Sequence, residues 1–402
     1  MTHTKKNNIP IQFELALIFY VLHNTIPVVG FHTPAVVNAL VLAYLYIFLF
    51  IHSKNFILDF GHVIPIFSIT ILSILYGGFK DFATDIYFIA QTFIYPLVTL
   101  YLFKCQNQKA VTRIFYIVII SYMVTAVTTY IGCGIFPGAS RQIAGNLDSK
   151  DEELFTLYMQ YNIGSFAFIY TLVMLLPIAI GMFRTHKKSI LFSVTMMVLI
   201  VMTVIRSEYS TALIMMVLIA VSFFFPTNFR FRHIFYLFIV CGIFYIVGKL
   251  SLGQLLIDLS QKVESASVSE RFYDLGTFFV SNGGAANMEG DVGYRMEFYQ
   301  KSLDMFKAYP ILGGGVQAAG GHSFLFDNLG KFGIIGLFAT ILVYSKIYIL
   351  FYRPFRFNSW YGYALIVFVV ALILATLNPK DNIGVLTFTI PLFMKAFDTT
   401  KR

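Results

Sequence analysis

From Tyr294 to Leu337 the chain reads YRMEFYQKSLDMFKAYPILGGGVQAAGGHSFLFDNLGKFGIIGL. The apolar spacing predicts an amphipathic helix over Tyr294 to Tyr309. Tyr294, Phe298, Met305, Phe306 and Tyr309 lie among its apolar contacts, with Lys301 and Asp304 on a polar side. That helix carries Arg295 in its first turn and is stopped by Pro310. A glycine-rich turn follows, Gly313-Gly314-Gly315 to Gly320-Gly321, and is expected to offer backbone N–H groups as flexible donors. His322 then opens a long apolar helix that also holds Asp327, Asn328 and Lys331. An arginine, backbone donors and a histidine at the mouth of a membrane segment suit an anionic, lipid-linked ligand at the membrane surface.

The rest of the 402-residue chain puts that stretch in a membrane. It is 58% hydrophobic and 12% charged, with mean hydropathy +0.75, more apolar surface than a water-soluble domain can bury. The formal net charge of +9 does not argue for nucleic acid, because the basic residues are spread through short loops, as membrane topology alone requires. Cys105, Cys133 and Cys241 lie in or beside apolar segments without paired spacing, so neither a disulfide framework nor a metal site follows. The N-terminal residues have no small-residue cleavage signal and read as a retained first span.

Apolar runs of membrane-crossing length predict twelve helices: 11–29, 33–51, 56–76, 85–104, 113–135, 161–183, 189–205, 208–225, 233–252, 322–351, 359–376 and 382–397. With the N-terminus inside, every even-numbered crossing ends at a basic loop, including Lys54, Lys104 to Arg113, Arg184 to Lys188, Arg230 and Arg232, and Arg353 and Arg356. The positive-inside bias therefore places both termini in the cytoplasm. Two outer loops are long. Residues 136–160 hold Arg141 and the acidic run Asp148, Asp151, Glu152 and Glu153, read as a solvated loop. Residues 253–321 form a large outer loop between the ninth and tenth spans, with a short helix over SVSERFYDLGTFFV capped by Ser269 and broken at Asn282-Gly283-Gly284. The expected fold is all-α, a single integral membrane domain over 1–402.

Four residues are candidates for chemistry. Arg206, at the tight outer turn between the seventh and eighth spans with Glu208 close by, reads either as a snorkelling anchor or as a functional cation. Arg295 and Arg271 in the large loop carry guanidinium forks that grip phosphate oxygens in pairs. For Arg271, simple pairing with Glu270 and Asp274 is the better reading, whereas Arg295 leads directly into the glycine turn. His322 exchanges a proton near neutral pH, although on the residues alone an interfacial histidine bonded to a backbone carbonyl is the commoner role. Asp327 and Lys331, four apart on one helix, are expected to neutralise each other. Gly330, Gly333 and Gly336 give that helix a small-residue face for close packing. No zinc spacing, Walker loop or dinucleotide fingerprint occurs, and no D-x-D pair lies in an outer loop.

GGHSFLFDNLGKFGIIGL resembles the signature of the O-antigen ligase/polymerase superfamily: a histidine, a small polar residue, an aromatic-Leu pair, then Leu and Gly-x-x-Gly on one helix. Arg295 followed by Tyr309-Pro310 and the Gly313-Gly314-Gly315 turn is similar to that family's Arg and Pro-x-x-G-x-G segment, and Arg206-Ser207 to its Ser-Arg-containing turn. The resemblance implies a glycosyltransferase of the outer face of the bacterial cytoplasmic membrane, needing no cofactor or metal. A polysaccharide repeat-unit polymerase of the Wzy type is the favoured reading. It would use undecaprenyl-pyrophosphate-linked glycans as donor and acceptor, with a chain-length regulator protein as a further partner, and make O-antigen, capsule or exopolysaccharide. His322 would be the catalytic base or orienting acceptor, and Arg206, Arg295 and Arg271 the pyrophosphate ligands. The rivals are a ligase that passes the glycan to lipid A-core or protein, and a flippase for the lipid-linked glycan.

The topology has a direct check. Gly284→Cys and Lys187→Cys should be labelled by an impermeant thiol reagent from opposite sides of the membrane, Gly284→Cys from outside. Labelling of both from one side would contradict the twelve-span arrangement.

Overall fold

A computed structural model of the chain describes residues 9–53, 55–78, 81–105, 107–143, 152–185, 189–221, 250–251, 253–262, 266–280, 291–316, 320–379 and 382–397. These residues are helical or connect helices, and no strand occurs among them. Among the described residues, six helices are long and apolar enough to cross a membrane: Ala35–His52, Phe56–Gly77, Phe82–Lys104, Gln108–Ile135, Phe166–Thr185 and Phe324–Phe355. Ile190–Arg206, Thr211–Ala220, Tyr361–Leu377 and Val385–Ala396 are shorter apolar helices. The fold is that of an all-α polytopic membrane protein. The predicted ninth span, 233–252, and the Asn282-Gly283-Gly284 break lie almost wholly outside the described residues.

Local chemistry moves several predicted edges. The first helix, Ile11–Thr25, stops before Ile26, which is extended because Pro27 follows it; Pro27 then starts a second short helix, Pro27–His32. The sixth span begins at Phe166 rather than 161, since a separate helix, Glu152–Gln160, ends in a turn where Asn162 takes φ 55°. Asp81 caps Phe82–Lys104 by accepting from Ala83 N at 3.2 Å. The Thr84 hydroxyl and Ala83 N–H together hold the Asp81 carboxyl below its usual range. Ser269 does not cap its helix: Ala266–Val280 begins three residues earlier, and the Ser269 hydroxyl donates to Ser260 O at 2.7 Å.

The chain divides into two compact units, 1–227 with 341–371 and 382–402, and 228–340 with 372–381. In the first unit, Gln108–Ile135 is the central helix, packed by Ile11–Thr25, Ile190–Arg206 and Ile390–Ala396. Its start is an ionic knot. Arg113 binds the buried Glu14 through two nitrogens, and Lys104 Nζ reaches buried Asp59 at 2.7 Å. Lys395 Nζ donates to Phe103 O at 3.3 Å, and Gln108 Nε2 donates to Ala396 O at 2.6 Å. Burying a lone carboxylate in an apolar bundle costs several kcal/mol, so Glu14 and Asp59 sit where the basic residues gather.

The Phe324–Ile347 helix, whose residues 324–340 belong to the second unit, is not continuous. Gly333 takes φ 62°, ψ −146°, and the helix kinks there. The break strips partners from nearby backbone groups, and the glycine turn supplies them. Gly314 N–H donates to Gly330 O at 2.9 Å, Gly315 N–H to Lys331 O at 3.0 Å, and Ile334 N–H to Pro310 O at 2.9 Å. Contact is so close that a Cβ on Gly313 would fall 2.3 Å from the Lys331 carbonyl, and one on Gly330 would fall 2.8 Å from Ser302 O. Gly330 therefore serves close packing as expected, while Gly333 makes a break rather than a helix face.

Gly333→Ala should be costly. It forces an L-residue to positive φ, worth about 1–3 kcal/mol, and drives a methyl to within 2.5 Å of Ile311 O. Thermal unfolding of the purified variant in detergent should show a clear drop in Tm; an unchanged Tm would mean the kink is dispensable.

Candidate functional site

His322 is seated by three neighbouring structures of the second unit. Its ring stacks on Phe298, with centroids 4.3 Å apart and planes 29° from parallel. Phe298 belongs to the Asp291–Ala308 helix, and Gly320 packs so tightly on it that a Cβ there would lie 2.6 Å from Phe298 Cβ. The helix after His322 starts at Phe324, not at the histidine, and Ser323 is its N-cap: Phe326 N–H donates to Ser323 Oγ at 3.1 Å. Asp327 reaches back to the Ser323 N–H at 3.0 Å, closing a reciprocal box one residue longer than the usual capping box. Another end donor, Phe324 N–H, finds Asn378 O at 2.8 Å.

Asp327 does not pair with Lys331. Its carboxylate is taken by Ser302 Oγ at 3.0 Å, Gly321 N at 3.2 Å and Ser323 N at 3.0 Å, and it is 5% exposed. The expected i, i+4 pair yields because backbone N–H groups at a helix start lie within reach, and each one left buried without an acceptor costs about 1–3 kcal/mol. The glycine-turn donors are likewise committed. Gly313, Gly314 and Gly315 donate to backbone carbonyls, Gly320 to Ser302 Oγ and Gly321 to Asp327. These glycines of the turn brace the broken helix with N–H groups already bonded within the chain.

Arg295 is partly buried and lies one turn inside Asp291–Ala308, so it does not sit among the free N–H groups of a helix start. Helical spacing places it one turn before Phe298 and two before Ser302, on the face that carries the partner of His322. The opposite side is solvated: Lys307 Nζ at 2.9 Å and Gln300 Nε2 at 2.7 Å hold the Asp304 carboxyl below its usual range, Lys307 foremost. Arg271 lies on Ala266–Val280, with its side chain outside the described residues.

Arg206 belongs to the first unit, where it ends Ile190–Arg206. Its guanidinium carbon stands 5.1 Å from the centre of the Tyr130 ring, a cation–π contact. Gly134, one turn along the same helix, makes room for it, since a Cβ there would lie 2.5 Å from Nη2. The turn that follows is anchored: Glu208 takes φ 57°, Tyr209 OH donates to Ser140 O at 2.7 Å, and Ser140 Oγ donates to Gly164 O at 2.6 Å. Arg206 is exposed, with its guanidinium lying over the Tyr130 ring and beside Gly134. Reading the sequence missed Ser302, Phe298 and Tyr130 as partners. The seven-residue spacing from Arg295 to Ser302 and the Ser323-x-x-x-Asp327 box were the available signals.

Among the described residues, no three His, Cys, Asp or Glu side chains gather in a way that could hold a metal ion. Residues 191–341, which include Arg206, Arg271, Arg295 and His322, match the family model described as O-antigen ligase. The match supports the O-antigen ligase/polymerase superfamily. It supports an O-antigen ligase/polymerase-type membrane enzyme, glycosyltransferase-like in its chemistry, and gives no support to the flippase alternative. Together with the helices long and apolar enough to cross a membrane, the match supports a multi-pass bacterial membrane protein. No curated protein matches the chain.

The cap is testable by itself. Ser323→Ala should cost about 0.5–2 kcal/mol through loss of the Phe326 N–H acceptor. A thermal melt in detergent checks it, and an unchanged Tm would mean that Asp327 alone secures the helix start.

Proposed function

We propose that the protein polymerises lipid-linked oligosaccharide repeat units on the outer face of the cytoplasmic membrane, with both termini inside and undecaprenyl-pyrophosphate-linked glycans as donor and acceptor. What supports this reading is the seating of His322: a proton-exchanging ring held on the face of a helix that also carries Arg295. A hydroxyl oxygen of the acceptor sugar bonds to the donor's anomeric carbon while the bond from that carbon to the phosphate oxygen breaks. The electron pair leaves on the lipid pyrophosphate, and His322 takes the hydroxyl proton. The leaving group carries its own negative charge, so it needs neutralising more than protonating. Arg295, Arg206 and Arg271 are each proposed to bind its phosphate oxygens, which is chemistry that permits a metal-independent reaction. The matched family's description favours a second reading, transfer of the finished glycan to lipid A-core or protein.

Mutants separate the roles. Arg295→Ala and Arg206→Ala should each weaken donor binding by about 1.5–3 kcal/mol, the worth of a hydrogen bond to a charged group. The corresponding lysine variants should recover part of it, because they keep the charge but lose the fork. His322→Ala should lower turnover by about 10²–10⁴-fold and leave donor binding largely intact. Near-normal turnover of His322→Ala would remove the histidine from the mechanism. Activity should also survive EDTA; abolition by chelation with recovery on added magnesium or manganese would overturn the metal-independent scheme.

A further inference from the structure

The carboxylate of Asp327 brackets His322. One oxygen, Oδ1, accepts from the N–H of Gly321, the residue before the histidine, and the other, Oδ2, accepts from the N–H of Ser323, the residue after it. Ser302, fully buried on the Asp291–Ala308 helix, donates its hydroxyl to the same Oδ1 at 3.0 Å and accepts from Gly320 N–H at 3.2 Å. Three backbone N–H groups flanking His322, those of Gly320, Gly321 and Ser323, are therefore held by two buried side chains. The arrangement is also tied to the helix of Arg295, through Ser302. Gly321 at φ 80° sets the bend that lets one carboxylate reach both peptides.

We propose that Asp327 and Ser302 are positioning residues that fix the histidine loop against the arginine-bearing helix. This rests on the reading of His322 as the proton acceptor. The chemistry of the two side chains fits that task. A carboxylate is acceptor-only and has lone pairs on both oxygens, so it alone can take Gly321 N–H, Ser323 N–H and the Ser302 hydroxyl together. Asp327→Asn keeps the shape but turns one acceptor into an NH₂ group that faces an N–H, so one side of the bracket opens. Ser302→Ala removes the link between the Asp327 carboxylate and Gly320. In neither variant is a group lost that would touch the sugar or the pyrophosphate. The effect should appear in where the His322 ring sits, and a displacement of about 1 Å at a reacting group can cost on the order of 10²-fold in rate.

The test uses full-length protein in detergent or liposomes and two independent readouts. The first is the rate at which diethyl pyrocarbonate acylates His322, followed by peptide mass mapping, with His32 and His62 as internal standards. In Asp327→Asn and in Ser302→Ala the His322 rate should rise several-fold while the standards stay unchanged, and a cooperative thermal melt reports that the fold is kept. The second is a mutant cycle on turnover with lipid-linked repeat units. Asp327→Asn should lower kcat on the order of 10²-fold with donor KM nearly constant, yet cost nothing more in a His322→Ala background. An unchanged His322 acylation rate in both variants would overturn the proposal. So would an equal loss of turnover from Asp327→Asn with and without His322, the mark of a merely structural role. If His322→Ala alone turns over normally, the reading of the histidine as proton acceptor fails, and the acylation rates still decide whether the bracket holds the loop. Should Asp327→Asn fail to fold, Ser302→Ala carries both measurements.

Discussion

The second unit depends on one interruption, the non-helical Gly333 inside an otherwise helical apolar segment. A continuous helix in lipid satisfies its own backbone, whereas a broken one exposes carbonyls and N–H groups that no solvent can serve. Here the gap is filled by the turn after the Asp291–Ala308 helix, with Gly314 and Gly315 serving Gly330 and Lys331 and Pro310 serving Ile334. Only glycine permits this approach: at Gly313 a side chain would overlap the Lys331 carbonyl, and at Gly333 both the dihedral and the nearby Ile311 carbonyl exclude one. The same close contact brings Ser302 under Gly330 and beside Asp327, and so leads from backbone repair to the seating of His322.

The first unit solves a different problem with the same economy of polar groups. Among its described residues, the two buried acids, Glu14 and Asp59, are matched by Arg113 and Lys104 beside the connection that joins Phe82–Lys104 to Gln108–Ile135. Arg206 is held instead by an aromatic face and a glycine notch on the central helix. A guanidinium over a ring keeps its charge and gains attraction from the ring face.

Much of the fold was legible because apolar run length is a direct consequence of bilayer thickness, and eleven of the twelve predicted spans coincide with helices among the described residues. The edges moved where proline or a cap intervened, as at Pro27 and Ser323, whose positions are visible in sequence but whose winning effect is not. The role of the glycines was misread for a physical reason. Composition reports small residues, not dihedrals, so Gly333 looked like packing surface and Gly314 and Gly315 like ligand donors. Asp327 and Lys331 had the spacing of a helical pair, but a carboxylate within reach of two free N–H groups and a buried hydroxyl goes to them. The spacing from Arg295 puts Ser302 on the same helix face, but its bond to Asp327 was not legible, since that partner lies 25 residues away. The candidate histidine and arginine needed no such long-range contact to be singled out, because a titratable ring and a fork beside a membrane segment stand out by chemistry alone.

The central claim is that this membrane protein joins lipid-linked glycans and releases lipid pyrophosphate. The most direct measurement takes the purified full-length protein in detergent with a single defined undecaprenyl-pyrophosphate-linked repeat unit, without ATP, and follows glycan length and released lipid pyrophosphate together. A ladder of longer glycans is expected, with one lipid pyrophosphate released for each unit added. Repeat units that stay unjoined, with no lipid pyrophosphate released in a preparation shown to be folded, would contradict it.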